Sequence, residues 1–174
     1  MPIIRFGAAL LLSFAPALAA AQAGSVERYT LRGDDVAVWD LAGRVEVVAG
    51  TASEVVVEVV RRGRDAGRVR VERGEIDGRD ALRIGADDGD IVYPELADRG
   101  RVESSIRRDG TFGSGMSGGS WLGGRRVSIR REGRGTEGWA DVTVRVPRGA
   151  RVRSAVWSST RAPAVPSCAT WRAT

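Results

Sequence analysis

The 174-residue sequence has no histidine, and a residue count finds no lysine and no asparagine either: all 27 basic residues are arginine. Each absence closes a chemistry. Without imidazole there is no histidine base for a serine or cysteine nucleophile, and no His-ligated zinc. Without an ammonium group there is no Schiff-base lysine and no P-loop lysine on a nucleotide phosphate. The single cysteine, Cys168, cannot close a disulfide within the chain. After residue 23 no apolar run approaches the roughly 20 residues that span a bilayer. The length suits one domain and is short for two.

The net charge of +5 is unevenly placed. From Gly24 to Asp141, 20 arginines face 22 aspartates and glutamates. Beyond Asp141 there is no carboxylate, while Arg145, Arg148, Arg151, Arg153, Arg161 and Arg172 add six positive charges. The excess therefore belongs to the last 33 residues. Because arginine replaces lysine everywhere, its abundance reads as the coding bias of a GC-rich genome rather than as a nucleic-acid footprint. No nucleic-acid partner is expected.

The N-terminus has the three parts of a secretory signal peptide. Met1 to Arg5 carries one positive charge, Phe6 to Ala21 is apolar, and Ala21-Gln22-Ala23 supplies small residues for cleavage. The apolar stretch contains Pro16 and is short for an uncleaved anchor. No cysteine lies near the cleavage site, which removes the lipoprotein route. Residues 1–23 are thus expected to be removed on export, with the product in the periplasm, outer envelope or extracellular space and no transmembrane segment after cleavage.

From Tyr29 to Gly85 apolar residues recur at every second position, the period of strands rather than helices. Val45 and Val47, Val55, Val57 and Val59, Val69 and Val71, then Leu82 and Ile84 each form one row, with charged residues between. Valine is β-branched and suits a pleated surface. Gly43, Gly50, Gly63, Gly67, Gly74 and Asp77-Gly78 are read as the turns. Alternation returns at Val127 and Ile129 and at Val142, Val144 and Val146, ending at Pro147-Arg148-Gly149. The pattern G-R-V-x-V-x-x-G occurs at 43 and again at 67, a spacing of 24 that would hold two strands. The expected fold is all-β: a β-solenoid-like stack of short strands, with an antiparallel β-sandwich as the alternative.

Between 87 and 138 the alternation fades, and seven glycines fall from 110 to 124. Ordering glycine sacrifices much backbone freedom, so a long surface loop is expected there. Residues 157–174 hold two of the five tryptophans, two of the six prolines, no acid and no period. They read as an irregular basic tail. A domain over 24–156, left incomplete by truncation or a shifted reading frame, is one expectation; an ordinary disordered tail is the other.

Several motifs match in form and lack their chemistry. Gly113-Ser114-Gly115-Met116-Ser117-Gly118 fits G-x-G-x-x-G, but no buried strand precedes it and more glycine follows instead of a helix. Gly115-Met116-Ser117-Gly118-Gly119 fits G-x-S-x-G without a histidine to take the hydroxyl proton. Asp87, Asp88 and Asp90 offer calcium-type oxygens at a spacing that matches no calcium loop. Arg125-Arg126 and Arg130-Arg131 with Trp121 would suit an anionic glycan or phosphate, though Arg126 and Arg130 read equally as outward strand positions. No catalytic, cofactor-binding or metal-binding residue is assigned and no cofactor is expected. Carboxylate pairs depend on the fold, so a glycan-acting enzyme remains the alternative.

A more specific resemblance runs over about residues 29–156. Val36-Ala37-Val38-Trp39-Asp40-Leu41-Ala42-Gly43, Glu54-Val55-Val56-Val57-Glu58-Val59, Ile91-Val92-Tyr93-Pro94, Asp109-Gly110-Thr111-Phe112-Gly113, Gly138-Trp139-Ala140-Asp141 and Val144-Arg145-Val146-Pro147-Arg148-Gly149 follow one another behind the export signal. In this order they resemble the bacterial adhesin-like domain family of exported, valine- and glycine-rich proteins. The resemblance implies a β-solenoid-like fold and a structural or adhesin-like role in the cell envelope, with a surface glycan or protein as ligand. It brings no functional residue. In that family strands continue past the Val-x-Val-Pro-x-Gly signature, whereas this sequence departs after Trp157. Open strand edges would then favour self-association.

Overall fold

The computed structural model describes residues 24–87, 89–96, 100–107, 112–113, 125–156 and 167–172. The expected signal peptide, nearly all of the glycine-rich run and residues 157–166 of the tail lie outside them. Among the described residues there is no α-helix, only a 3-10 turn at Ala66–Arg68, and no helix long and apolar enough to cross a membrane. The described residues form thirteen strands in order: β1 (Val26–Leu31), β2 (Asp35–Asp40), β3 (Gly43–Ala49), β4 (Val55–Arg62), β5 (Val69–Ile76), β6 (Arg79–Ala86), β7 (Asp90–Val92), β8 (Arg101–Ile106), β9 (Phe112–Gly113), β10 (Arg125–Arg130), β11 (Trp139–Val146), β12 (Arg151–Val156) and β13 (Ser167–Arg172).

The protein is all-β, as its two-residue period predicts. Three open sheets form, in the orders β1-β4-β11-β3, β13-β12-β2-β6-β5 and β7-β10-β8-β9. The aliphatic rows face one another across the first two. Val55, Val57, Val59, Val142 and Val144 of the first sheet join Val36, Val38, Leu82, Ile84 and Val152 of the second in one buried cluster. Burying each such side chain contributes roughly 1.5–3 kcal/mol. The charged residues between them stay outside. There Glu58 bridges Arg28 at 2.7 Å and Arg145 at 3.2 Å across three neighbouring strands, and Arg62 meets Asp141 at 3.0 Å. A second cluster lies under the third sheet, where Tyr93, Ile91, Leu96, Val127 and Ile129 pack with Leu41. The ring of Trp139 meets Tyr93 edge-on at 5.5 Å.

Strand pairing runs in both directions. β2–β12, β2–β6, β3–β11 and β7–β10 are parallel, while β1–β4, β4–β11, β5–β6, β12–β13, β8–β10 and β8–β9 are antiparallel. The sheets are mixed, so the purely antiparallel alternative does not describe them. The two copies of G-R-V-x-V-x-x-G fall in different sheets: β3 pairs with β11, and β5 with β6. Their 24-residue spacing is therefore not a stacking period.

Turn chemistry explains most of the joints. Asp77 and Gly78, at φ +51° and +75°, form the two-residue hairpin between β5 and β6, the conformation that Asp-Gly favours. Gly74 is an exception among the glycines read as turns, since it lies within β5. The last described segment also departs from the irregular tail expected of it. Residues 167–172 pair antiparallel along β12, with Cα partners from Arg151↔Arg172 to Val156↔Ser167. Ladder hydrogen bonds join backbones and need no aliphatic period.

Candidate functional site

On the outer face of the second sheet, against one end of the third, lies a groove of about 320 Å³. Trp39 from β2 and Leu41 just after it form one part, and Arg70 and Glu72 from β5 with Arg83 and Gly85 from β6 form another. Asp87, Ile106, Arg107 and Arg125 complete the lining at the third-sheet end. Strand alternation puts these residues together. Trp39 stands opposite Arg83 in the β2–β6 register, and β5–β6 pairs Glu72 with Arg83 and Arg70 with Gly85. Neighbours across a ladder share a face, so the outward positions of three adjacent strands become one surface.

Glycines set the depth. A Cβ on Gly74 would come within 2.8 Å of Arg83 Nη2, so the bare backbone lets that guanidinium extend across β5. A Cβ on Gly85 would make ordinary contact with Leu41, at 3.5 Å from Cδ2. Nothing larger than hydrogen rises from the floor there.

The electrostatics are dominated by guanidinium groups. Four arginines line the groove against two carboxylates. Arg83 meets Glu72 at 3.9 Å, and Arg70 donates Nε–H to Asp87 Oδ2. Arg125 donates Nη2–H to the Ala86 carbonyl at 2.7 Å and Nη1–H to the Asp87 carbonyl. Those two acceptors hold Arg125 at the end of β6 without cancelling its charge.

Asp40 sits between Trp39 and Leu41 but does not line the groove. Its side chain is wholly buried, and the nearby Ala42 N–H does not reach hydrogen-bond geometry with either carboxylate oxygen. Burial pushes the carboxyl well above the usual carboxylate range; the Ala42 amide offsets this in part and the neighbouring Asp141 charge adds to it. Among the described residues, the acid with the raised pKa thus lies outside the groove lining.

The candidates marked in the sequence fare differently. Asp87 is tied to Arg70 and Asp90 to Arg130 at 3.0 Å, while Asp88 lies outside the described residues. Among the described residues no acidic or cysteine cluster could hold a metal ion. Of the arginines at 125–131, Arg125 alone reaches the groove. Arg130 binds Asp90 and Ser128 Oγ, and Arg131 the Leu96 carbonyl. Trp121 and the residues after Gly113 in both glycine motifs lie outside the description, and Gly113 itself is a strand residue opposite Ser105. Arg70 and Arg83 fall among the charged residues that alternate with the aliphatic rows, whereas nothing in the sequence marked Trp39 as outward; their convergence follows from strand order, which no local pattern carries. Compared with family models, curated proteins and solved structures, the chain matches none of them.

Proposed function

We propose that the chain is an exported cell-envelope module that binds a surface ligand in the groove and releases it unchanged. Its first two sheets form a sandwich-like body, and the third walls one side of the site. One observation carries the reading: both carboxylates in the groove are engaged by arginine, and the acid with the raised pKa faces the other way. Carboxylate-dependent glycan hydrolysis, the second reading, needs a protonated acid and a second carboxylate reaching the same bond. The signal-like N-terminus and the resemblance to adhesin-like domains support an envelope location, and open sheet edges support self-association as a lesser property.

The test uses Gly85→Leu, which fills the groove floor while its Cβ makes only ordinary contact with Leu41. The full chain should sediment with purified envelope polysaccharide and release no new reducing ends, and Gly85→Leu should abolish sedimentation with an unchanged circular dichroism spectrum. Reducing ends that appear with the wild type and vanish with Gly85→Leu would establish the enzyme instead. Binding that survives the filled groove would move the site elsewhere.

A further inference from the structure

We infer that the groove takes an acidic polysaccharide, a chain whose sugars carry carboxylates, with Arg70 and Arg125 supplying the charge that selects it. The inference rests on the groove being the ligand site and adds the chemistry of what enters.

Arg70 carries the first part of the argument. It uses Nε for Asp87, and its terminal nitrogens bond to no acceptor among the described residues. A guanidinium presents two parallel N–H groups to a carboxylate in a planar fork, and the unused Nη edge of Arg70 has that form. Arg125 carries the second part. Its N–H groups rest on carbonyls, which fix its position and leave its full positive charge facing the same space. An anion entering between them meets one arginine able to bond it directly and another whose field is not neutralised by a carboxylate.

The shape argues for a polymer. The side chains of Arg70, Glu72 and Asp87 are 60–63% exposed, so the rim is wet and does not enclose a small molecule. The volume lies near the lower end for ligand sites, enough for a sugar unit with the chain running out at the rim. Trp39 and Ile106 add apolar surface that suits the flat, carbon-rich face of a sugar ring, which a bare inorganic anion lacks.

Asp87 occupies Arg70 in the free protein and competes with the ligand. Removing it should therefore strengthen binding, the opposite sign to removing Arg70. The test measures calorimetric affinity of the full chain for a galacturonic-acid oligomer, a neutral dextran oligomer and polyphosphate, at 0.15 M salt, where long-range attraction between exposed charges is screened. Arg70→Gln should weaken the galacturonate complex about tenfold, and Asp87→Asn should tighten it roughly threefold. Arg64→Gln and Asp34→Asn change the net charge equally but lie outside the groove lining, and should leave affinity within about twofold. Dextran bound as tightly as galacturonate and blocked by Gly85→Leu would overturn the inference while keeping the groove. Galacturonate binding indifferent to Gly85→Leu would overturn both. Equal losses from Arg70→Gln and Arg64→Gln, or tighter binding of polyphosphate than of galacturonate, would reduce the effect to general charge and refute the proposal.

Discussion

Replacing Gly43 with alanine tests the corner that carries the chain from β2 into β3 and so places Trp39 and Leu41. Gly43 has φ +144°, and an added Cβ would stand 1.7 Å from the Ala140 carbonyl oxygen and 2.9 Å from Asp40 Oδ2. The first obstacle is backbone and has little room to retreat. The Ala140 N–H donates to the Ala42 carbonyl at 3.0 Å, and Ala140 is also registered against Arg61 of β4. An alanine in this region of backbone space costs about 1–3 kcal/mol. Displacing Ala140 far enough to relieve the overlap leaves a buried backbone group unsatisfied, another ~1–3 kcal/mol. The expected loss is roughly 2–6 kcal/mol, a large part of the stability of a domain this size. Two further glycines separate the contributions. Gly33, at φ +94° with nothing within 4 Å, reports strain alone, about 1–2 kcal/mol. Gly67, with no positive φ and open space around it, should lose nothing and gain up to about 1 kcal/mol from a stiffer unfolded chain. Urea unfolding followed by circular dichroism gives the three values. A Gly43→Ala loss within about 0.5 kcal/mol of the Gly33→Ala loss would refute the close approach of β3 to β11.

Other perturbations address charge and packing. Burial raises the Asp40 pKa above its unfolded value of 3.8, so the folded chain holds that proton more tightly. The associated stability is present at low pH and falls as pH rises from about the unfolded value through the folded one. Asp40→Asn should flatten this fall, by about 1.4 kcal/mol per unit of raised pKa; equal declines in wild type and variant between pH 3 and pH 9 would contradict the assignment. Asp80 behaves oppositely. Its hydrogen bonds from Arg73 and from the Arg32 backbone hold it below 3.8, so its contribution is present above that value and lost as pH falls through the folded pKa. Asp80→Asn should lower stability at pH 7 by roughly 1 kcal/mol, reduced because Arg73 is half-exposed, and an unchanged acid midpoint would count against it. Val57→Ala in the main core should cost about 2–3 kcal/mol, whereas exposed Val26→Ala should be nearly neutral; similar values for both would deny that the valine rows form the core.

The inward rows could be read from the sequence because burial on one face of a strand imposes a period of two, visible over a few residues at Val55, Val57 and Val59 or at Val142, Val144 and Val146. Asp77-Gly78 was legible for a similar local reason. Pairing partners were not. β3 chooses β11, and β2 chooses both β6 and β12, through contacts between residues far apart in the chain, and a matching aliphatic row fits many partners equally. Gly74 looked like punctuation, yet its role is to clear space for the Arg83 guanidinium on the next strand. β13 gave no signal because an added edge strand can be held by its backbone. The groove shares this limit: Asp87 and Arg125 stand out in the sequence only within separate motifs, and the other lining residues read as ordinary strand or end-of-strand positions until β5, β6 and β2 are placed side by side.

β11 is the strand that joins β4 to β3, and β12 joins β13 to β2. During synthesis, β1 to β6 emerge well before either of these central pieces exists. The early half of the chain can close its hairpin at Asp77-Gly78, but it cannot complete the valine interior. Cooperative folding should therefore wait for residues 139–152 and proceed slowly, as contacts between distant segments dictate. Until then the nascent polypeptide exposes aliphatic strands, the form in which a chaperone would meet it.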